Sequence, residues 1–114
     1  MNETKWLAEF ASALKRSDIN AATALFADDC YWRDLVAFTW NIVTLESRTA
    51  MADMLETRLG DVKPDSFVLS GRPGWFTFET AQGRGTGHVR LKDGKAWTFF
   101  TALLELKGFE EKKG

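Results

Sequence analysis

Between Ala24 and Asp34 the chain reads Ala-Leu-Phe-Ala-Asp-Asp-Cys-Tyr-Trp-Arg-Asp, and its hydrophobic period changes in mid-course. Ala24-Leu25-Phe26-Ala27 is the apolar end of a helix, Asp28-Asp29 stops it, and Cys30 onward alternates as a strand does. Whatever the preceding helices bury lies under one face of that strand, the face of Trp32 and Asp34. An aspartate beside a tryptophan on an inward face is costly unless it is hydrogen-bonded, paired or used. Asp34 is therefore the first candidate for chemistry.

On either side of this junction the chain divides by type. Thr4 is a plausible N-cap for a first helix, with Trp6, Leu7, Phe10, Ala11 and Leu14 as one stripe. Ser17-Asp18 breaks it, and a shorter second helix runs from Asp18 or Asn20 to Phe26. From Cys30 to about Trp40, one side of the strand carries Trp32, Asp34, Val36, Phe38 and Trp40. Ile42–Leu45 reads as a short return strand. Ser47 caps a third helix, roughly Arg48–Leu59, with Met51, Met54, Leu55 and Leu59 inward and Gly60 as its left-handed stop. Four strands follow: Asp65–Ser70, Trp75–Thr80, Arg84–Lys92 and Ala96–Leu106, separated by Gly71-Arg72-Pro73-Gly74, Gln82-Gly83 and the hairpin signal Asp93-Gly94. Residues 107–114 read as a polar tail. Helices first and a meander after them imply an α+β fold, a curved, mainly antiparallel sheet wrapped on three helices around a conical space where a ligand would sit.

A length of 114 residues predicts a single domain, 1–114. Fifteen basic and sixteen acidic residues with no basic cluster argue against nucleic acid as a partner. No apolar run approaches the ~20 residues of a membrane span. One cysteine, Cys30, excludes an internal disulfide framework, and with no signal peptide in view a cytoplasmic location is expected. Five Trp and nine Phe signify a large aromatic core, a lined cavity, a subunit interface, or a mixture. An aromatic convex face, with some of Trp75, Trp97 and Phe99, implies a homodimer through the sheet.

The element order, Ala13-Leu14 with Ser17-Asp18, Ala24-Leu25-Phe26-Ala27-Asp28-Asp29, and Trp32-Arg33-Asp34 together resemble the NTF2-like superfamily, which includes the SnoaL-like cyclases and ketosteroid isomerase. The resemblance implies the cone fold over nearly the whole chain. It places Asp34 at the isomerase's catalytic base, so acid–base chemistry without a cofactor (isomerase, cyclase or dehydratase type) is the activity it implies. The isomerase also uses an oxyanion hole made of a tyrosine and a late protonated acid. Phe10 and Gly87 stand near those positions here, so both donors are missing. The second half, Gly74–Thr80, Gly83–Leu91 and Ala96–Gly108, resembles the NTF2-like segment ahead of some bacterial flavin monooxygenases, which implies a free-standing relative or a fragment acting as an accessory module.

Two functions from different classes follow. One is a site for a small hydrophobic molecule, lined by Phe10, Trp32, Asp34 and Trp40, with Asp34 as the proton-transfer group if catalytic. The other is a non-catalytic dimeric association module. His88, the lone histidine, lies opposite the apolar Val89 and Leu91 and is expected on the outer face, turning inward as a second polar group only if a bulge shifts its register. Glu79 pairs most simply with Arg84 across the hairpin, and Arg84-Gly-Thr-Gly, inside a strand with no helix after it, is no phosphate loop. No His, Cys or acid spacing suggests a metal, and Cys30 reads as simply buried.

Overall fold

In the computed structural model, which describes residues 2–106, three helices and six strands follow in the order α1 (Glu3–Lys15), α2 (Ile19–Ala24), β1 (Phe26–Leu35), β2 (Ile42–Leu45), α3 (Arg48–Val62), β3 (Asp65–Leu69), β4 (Trp75–Glu79), β5 (Gly83–Lys92) and β6 (Lys95–Leu106). The expected tail, 107–114, lies outside the described residues. The strands form one sheet in the order β2-β1-β6-β5-β4-β3, antiparallel except for the β1–β6 pair. The fold is α+β, with three helices against a curved mixed sheet.

Helix boundaries follow side-chain capping. Asn2, not Thr4, caps α1 by accepting the Lys5 N–H, and Asp18 accepts the Ala21 N–H to cap α2. Ser47 caps α3 as expected. That helix passes through Gly60 and ends at Val62, because Lys63 rather than Gly60 takes the left-handed conformation, at φ 48°.

Two bulges decide which aromatic rings are inside. In β6 the pairing slips between Arg90–Thr98 and Leu91–Ala96, so Trp97 is an extra residue and both Ala96 and Phe99 face the helices. Phe99 is thus core, not outer face, since one inserted residue reverses the alternation. The second slip, between Arg84–Glu105 and Gly85–Leu103, makes Leu104 the extra residue and leaves it 67% exposed.

The interior is a block of rings. Trp6, Phe10, Phe26, Trp32, Phe76 and Phe99 are buried, with centroid separations such as 5.0 Å for Phe10–Phe99 and 4.9 Å for Trp32–Phe99. Both buried indoles have partners: Trp6 Nε1–H donates to the Leu25 carbonyl at 2.8 Å, and Trp32 Nε1–H to Thr101 Oγ1 at 2.9 Å. On the inward side of β5, glycines make the room. A Cβ on Gly85 would stand 2.6 Å from the Phe78 ring, and one on Gly87 2.3 Å from the Phe76 ring. The Arg84-Gly-Thr-Gly run is therefore a packing device in which rings of β4 lie across the backbone of β5.

Candidate functional site

Asp34 lies on the inward row of β1, opposite Thr101 of β6, and is fully buried. Its two oxygens are surrounded by donors. The Phe38 backbone N–H reaches both, at 3.1 Å from Oδ1 and 3.0 Å from Oδ2. The Thr39 backbone N–H and hydroxyl each stand 2.9 Å from Oδ2. The Thr101 hydroxyl donates to Oδ1 at 2.6 Å, and since Thr101 Oγ1 in turn accepts the Trp32 indole N–H, the core holds a directed chain Trp32 to Thr101 to Asp34. A carboxylate has about four acceptor positions, and four donors face this one: the Phe38 N–H shared by both oxygens, the Thr39 N–H, the Thr101 hydroxyl, and the Thr39 hydroxyl, which also lies 3.0 Å from the Asn41 carbonyl.

This arrangement corrects the expected strand. β1 ends at Leu35, about five residues earlier than strict alternation through Trp40 suggests, because the Asp34 side chain gathers the next amide groups into a turn. In the loop 36–41 the Val36 N–H donates to the Asn41 carbonyl at 2.9 Å and closes the neck. Phe38 folds back into the core against Trp32, ring centroids 5.0 Å apart, while Trp40 turns outward and is 49% exposed.

Of the expected site residues, Phe10, Trp32 and Asp34 converge in the interior. Phe10 and Trp32 meet edge to face at 5.9 Å, and their rings fill the space that a pocket would occupy. Trp40 does not join them, for the reason just given. His88 is on the other side of the sheet: it pairs with Phe100 in the outer row, whereas Asp34 pairs with Thr101 in the inner one. Its ring lies 4.8 Å from that of Trp75, and the Arg72 guanidinium stands over the Trp75 ring at 5.7 Å from its centroid. Partial burial and then the charge of Arg90 lower the His88 pKa from the ordinary 6.5, opposed by a hydrogen bond to the Pro73 carbonyl and by Glu3. Burial raises the Cys30 thiol, and Arg48 partly opposes it.

Sequence reasoning missed Thr39, Thr101 and Phe38, the residues that complete the Asp34 cluster. Thr101 is 67 positions from Asp34, and only the parallel β1–β6 pairing brings them together. Phe38 had a legible apolar signal but was placed on a strand. Among the described residues no group of three or more His, Cys, Asp or Glu side chains could hold a metal ion, and no helix is long and apolar enough to cross a membrane.

Solved structures share this architecture at low identity. An NTF2-like protein from Burkholderia thailandensis superposes with a TM-score of 0.66 at 18% identity, covering 89% of this chain and 89% of its own. A protein of unknown function with a cystatin-like fold from Xanthomonas campestris gives 0.67 at 16%, covering 92% of each chain. A Mycobacterium tuberculosis protein in complex with estradiol-17β-hemisuccinate gives 0.66 at 13%, covering 89% of this chain and 93% of that one. No family model and no curated protein sequence matches the chain. The chain has the NTF2-like, cystatin-like cone fold.

Proposed function

We propose that this chain is a non-catalytic NTF2-like domain that works by association, as a homodimer through the outer face of its sheet. The observation that carries this reading is the state of Asp34. A general base needs an acceptor position aimed at a substrate proton, and each position on Asp34 is directed at Phe38, Thr39 or Thr101. The carboxylate is fitted to hold the loop 36–41 and the core together. The outer face supplies the surface, with Leu104 and Val68 exposed beside a groove of about 530 Å³ that Thr77, Glu79, Arg84 and Glu105 also line. The accessory role implied by the second-half resemblance is compatible with such a module. Sedimentation should give a dimer, and Asp34→Asn, once circular dichroism shows it folded, should retain it. A strictly monomeric protein at micromolar concentration overturns the reading.

A second reading is favoured by one observation: a protein of the same fold binds a steroid ester, and the cone here is walled by rings. In it, a small hydrophobic molecule enters beside Phe10, Trp32 and Asp34 by displacing an aromatic side chain, and any proton transfer by Asp34 requires the loop to release it. Tryptophan fluorescence titrated with steroids and aromatic ketones tests this, and a flat response throughout would remove it.

A further inference from the structure

Among the buried rings of the described residues, Phe38 is unusual in how it is held. Trp6 and Phe10 sit on α1, Phe26 and Trp32 on β1, Phe76 and Phe78 on β4, and Phe99 on β6. Phe38 reaches the same core from a loop, touching Trp32 at 5.0 Å and Phe78 at 6.1 Å between centroids. Both ends of that loop are in left-handed backbone without glycine: Val36 at φ 72° and Trp40 at φ 57°. A β-branched residue rarely adopts that conformation, and it persists only where surrounding contacts enforce it. The Asp34 carboxylate, which takes the N–H groups of Phe38 and Thr39 and stands 2.9 Å from the Thr39 hydroxyl, is what ties the loop to the core, while Val36 N–H to the Asn41 carbonyl and Trp40 N–H to the Val36 carbonyl close the loop on itself.

We propose that the loop 36–41 is a gate, with Asp34 as its latch and Phe38 as a plug standing where the ring of a phenolic ligand goes. This rests on the ligand-binding reading. When the loop swings out on Val36 and Trp40, two things are vacated together. The Phe38 ring leaves an apolar slot against Trp32 and Phe78. Its N–H and the donors of Thr39 leave Asp34 with unfilled acceptor positions, while Thr101 keeps its bond to Oδ1. A buried carboxylate stripped of donors is costly, so the replacement must bring one. A plain hydrocarbon fills the slot and leaves Asp34 unsatisfied. An aromatic ring carrying a hydroxyl fills both, donating its O–H to Asp34 Oδ2 and stacking its ring where Phe38 was.

The test uses phenol and toluene, which share size and differ in the donor. In Phe38→Ala the loop loses the ring that seats it against Trp32 and Phe78 and opens more readily, so that, followed by the chemical shift of the Trp32 indole N–H, phenol should bind with 1:1 stoichiometry and about tenfold more tightly than toluene, the worth of one charge-assisted hydrogen bond. Phe38→Leu, which keeps more of the packing, serves if the alanine variant does not fold. In the unmutated protein the Phe38 and Thr39 amides should exchange with solvent faster than those of β5 and β6. Thr39→Val should speed them by about tenfold again while leaving the strands unchanged. Binding of neither probe to the Phe38 variants overturns the gate and the ligand-binding reading together. Equal binding of toluene and phenol overturns the phenolic class. Phenol binding combined with Phe38 and Thr39 amides that exchange only on global unfolding overturns the gate and leaves the ligand-binding reading standing.

Discussion

Asp34 was legible in the sequence as an acid in the wrong surroundings, and its surroundings were legible only in part. Trp32 and Phe10 could be placed beside it from period and helical spacing. Its hydrogen-bond partners could not, because two of them come from a turn that the carboxylate itself creates and one from a strand 67 residues away. The same bonds set the cost of losing them. Asp34→Asn puts an amide among donors, leaving at least one buried N–H or O–H facing another donor, and should lower unfolding stability by about 3 kcal/mol in urea denaturation. Thr101→Val should cost less, about 1.5 kcal/mol, since it strands the Trp32 N–H and removes one donor from Asp34 Oδ1, which keeps the Phe38 N–H. His88 contributes with a defined sign. Its folded-state pKa is lowered, so the unfolded chain binds the proton more readily. The associated stability is whole above the ordinary value of 6.5 and is lost as pH falls below it through the folded value. A melting temperature that declines from pH 7 to about pH 5 in the native protein and declines less in His88→Gln would express this.

At the scale of elements, glycines mark where periodicity alone reads correctly and where it does not. Gly60 sits where a helix stop belongs in sequence, yet α3 carries on for two more residues, since Leu59 and Val62 both bury against the core. Nothing stands within 4 Å of a Cβ built there, and its φ is not left-handed. Gly60→Ala should therefore stabilise the fold by about 0.5–1 kcal/mol by restricting the unfolded chain. Gly85 is the opposite case. Its Cβ would meet the Ala102 carbonyl oxygen at 2.5 Å and the Phe78 ring at 2.6 Å, one of them backbone that cannot move away. Gly85→Ala should destabilise by about 2–3 kcal/mol, seen in the same denaturation experiment. The strands β2 to β6 were placed within about a residue of their observed limits because turns such as Gly71–Gly74 and Asp93-Gly94 announce themselves, whereas β1, expected from Cys30 to about Trp40, runs Phe26–Leu35. A second error lay inside β6. Nothing in Ala-Trp-Thr-Phe-Phe says that Trp97 is a bulge, and that one residue moved Phe99 from the outer face to the centre of the core. A bulge is a compromise between two strands and is visible only when both are paired.

For the whole molecule, the question is what the outer face of the sheet is for. The helices cover one side only, and the other side presents Tyr31, Arg33 and Leu35 from β1 opposite Thr98, Phe100 and Ala102 of β6. His88 and Trp75 extend the ring-bearing region toward β4, and Leu104 and Val68 stand out beside the groove. This face mixes apolar and charged groups: Arg33 stands between Tyr31 and Leu35 on β1, and Arg84 and Glu105 on β5 and β6 form an ion pair at 2.8 Å beside Leu104. Association of two copies would cover Leu104, which the bulge in β6 leaves exposed. Leu104→Glu places a charge on that surface without touching the core, so the monomer should fold with unchanged thermal stability when dilute. If the face is the interface, the variant should sediment as a monomer at concentrations where the native chain is dimeric, the cost being that of burying an unpaired carboxylate. If instead the variant dimerises as before, the outer face is not the contact, and the association reading loses the surface on which it stands.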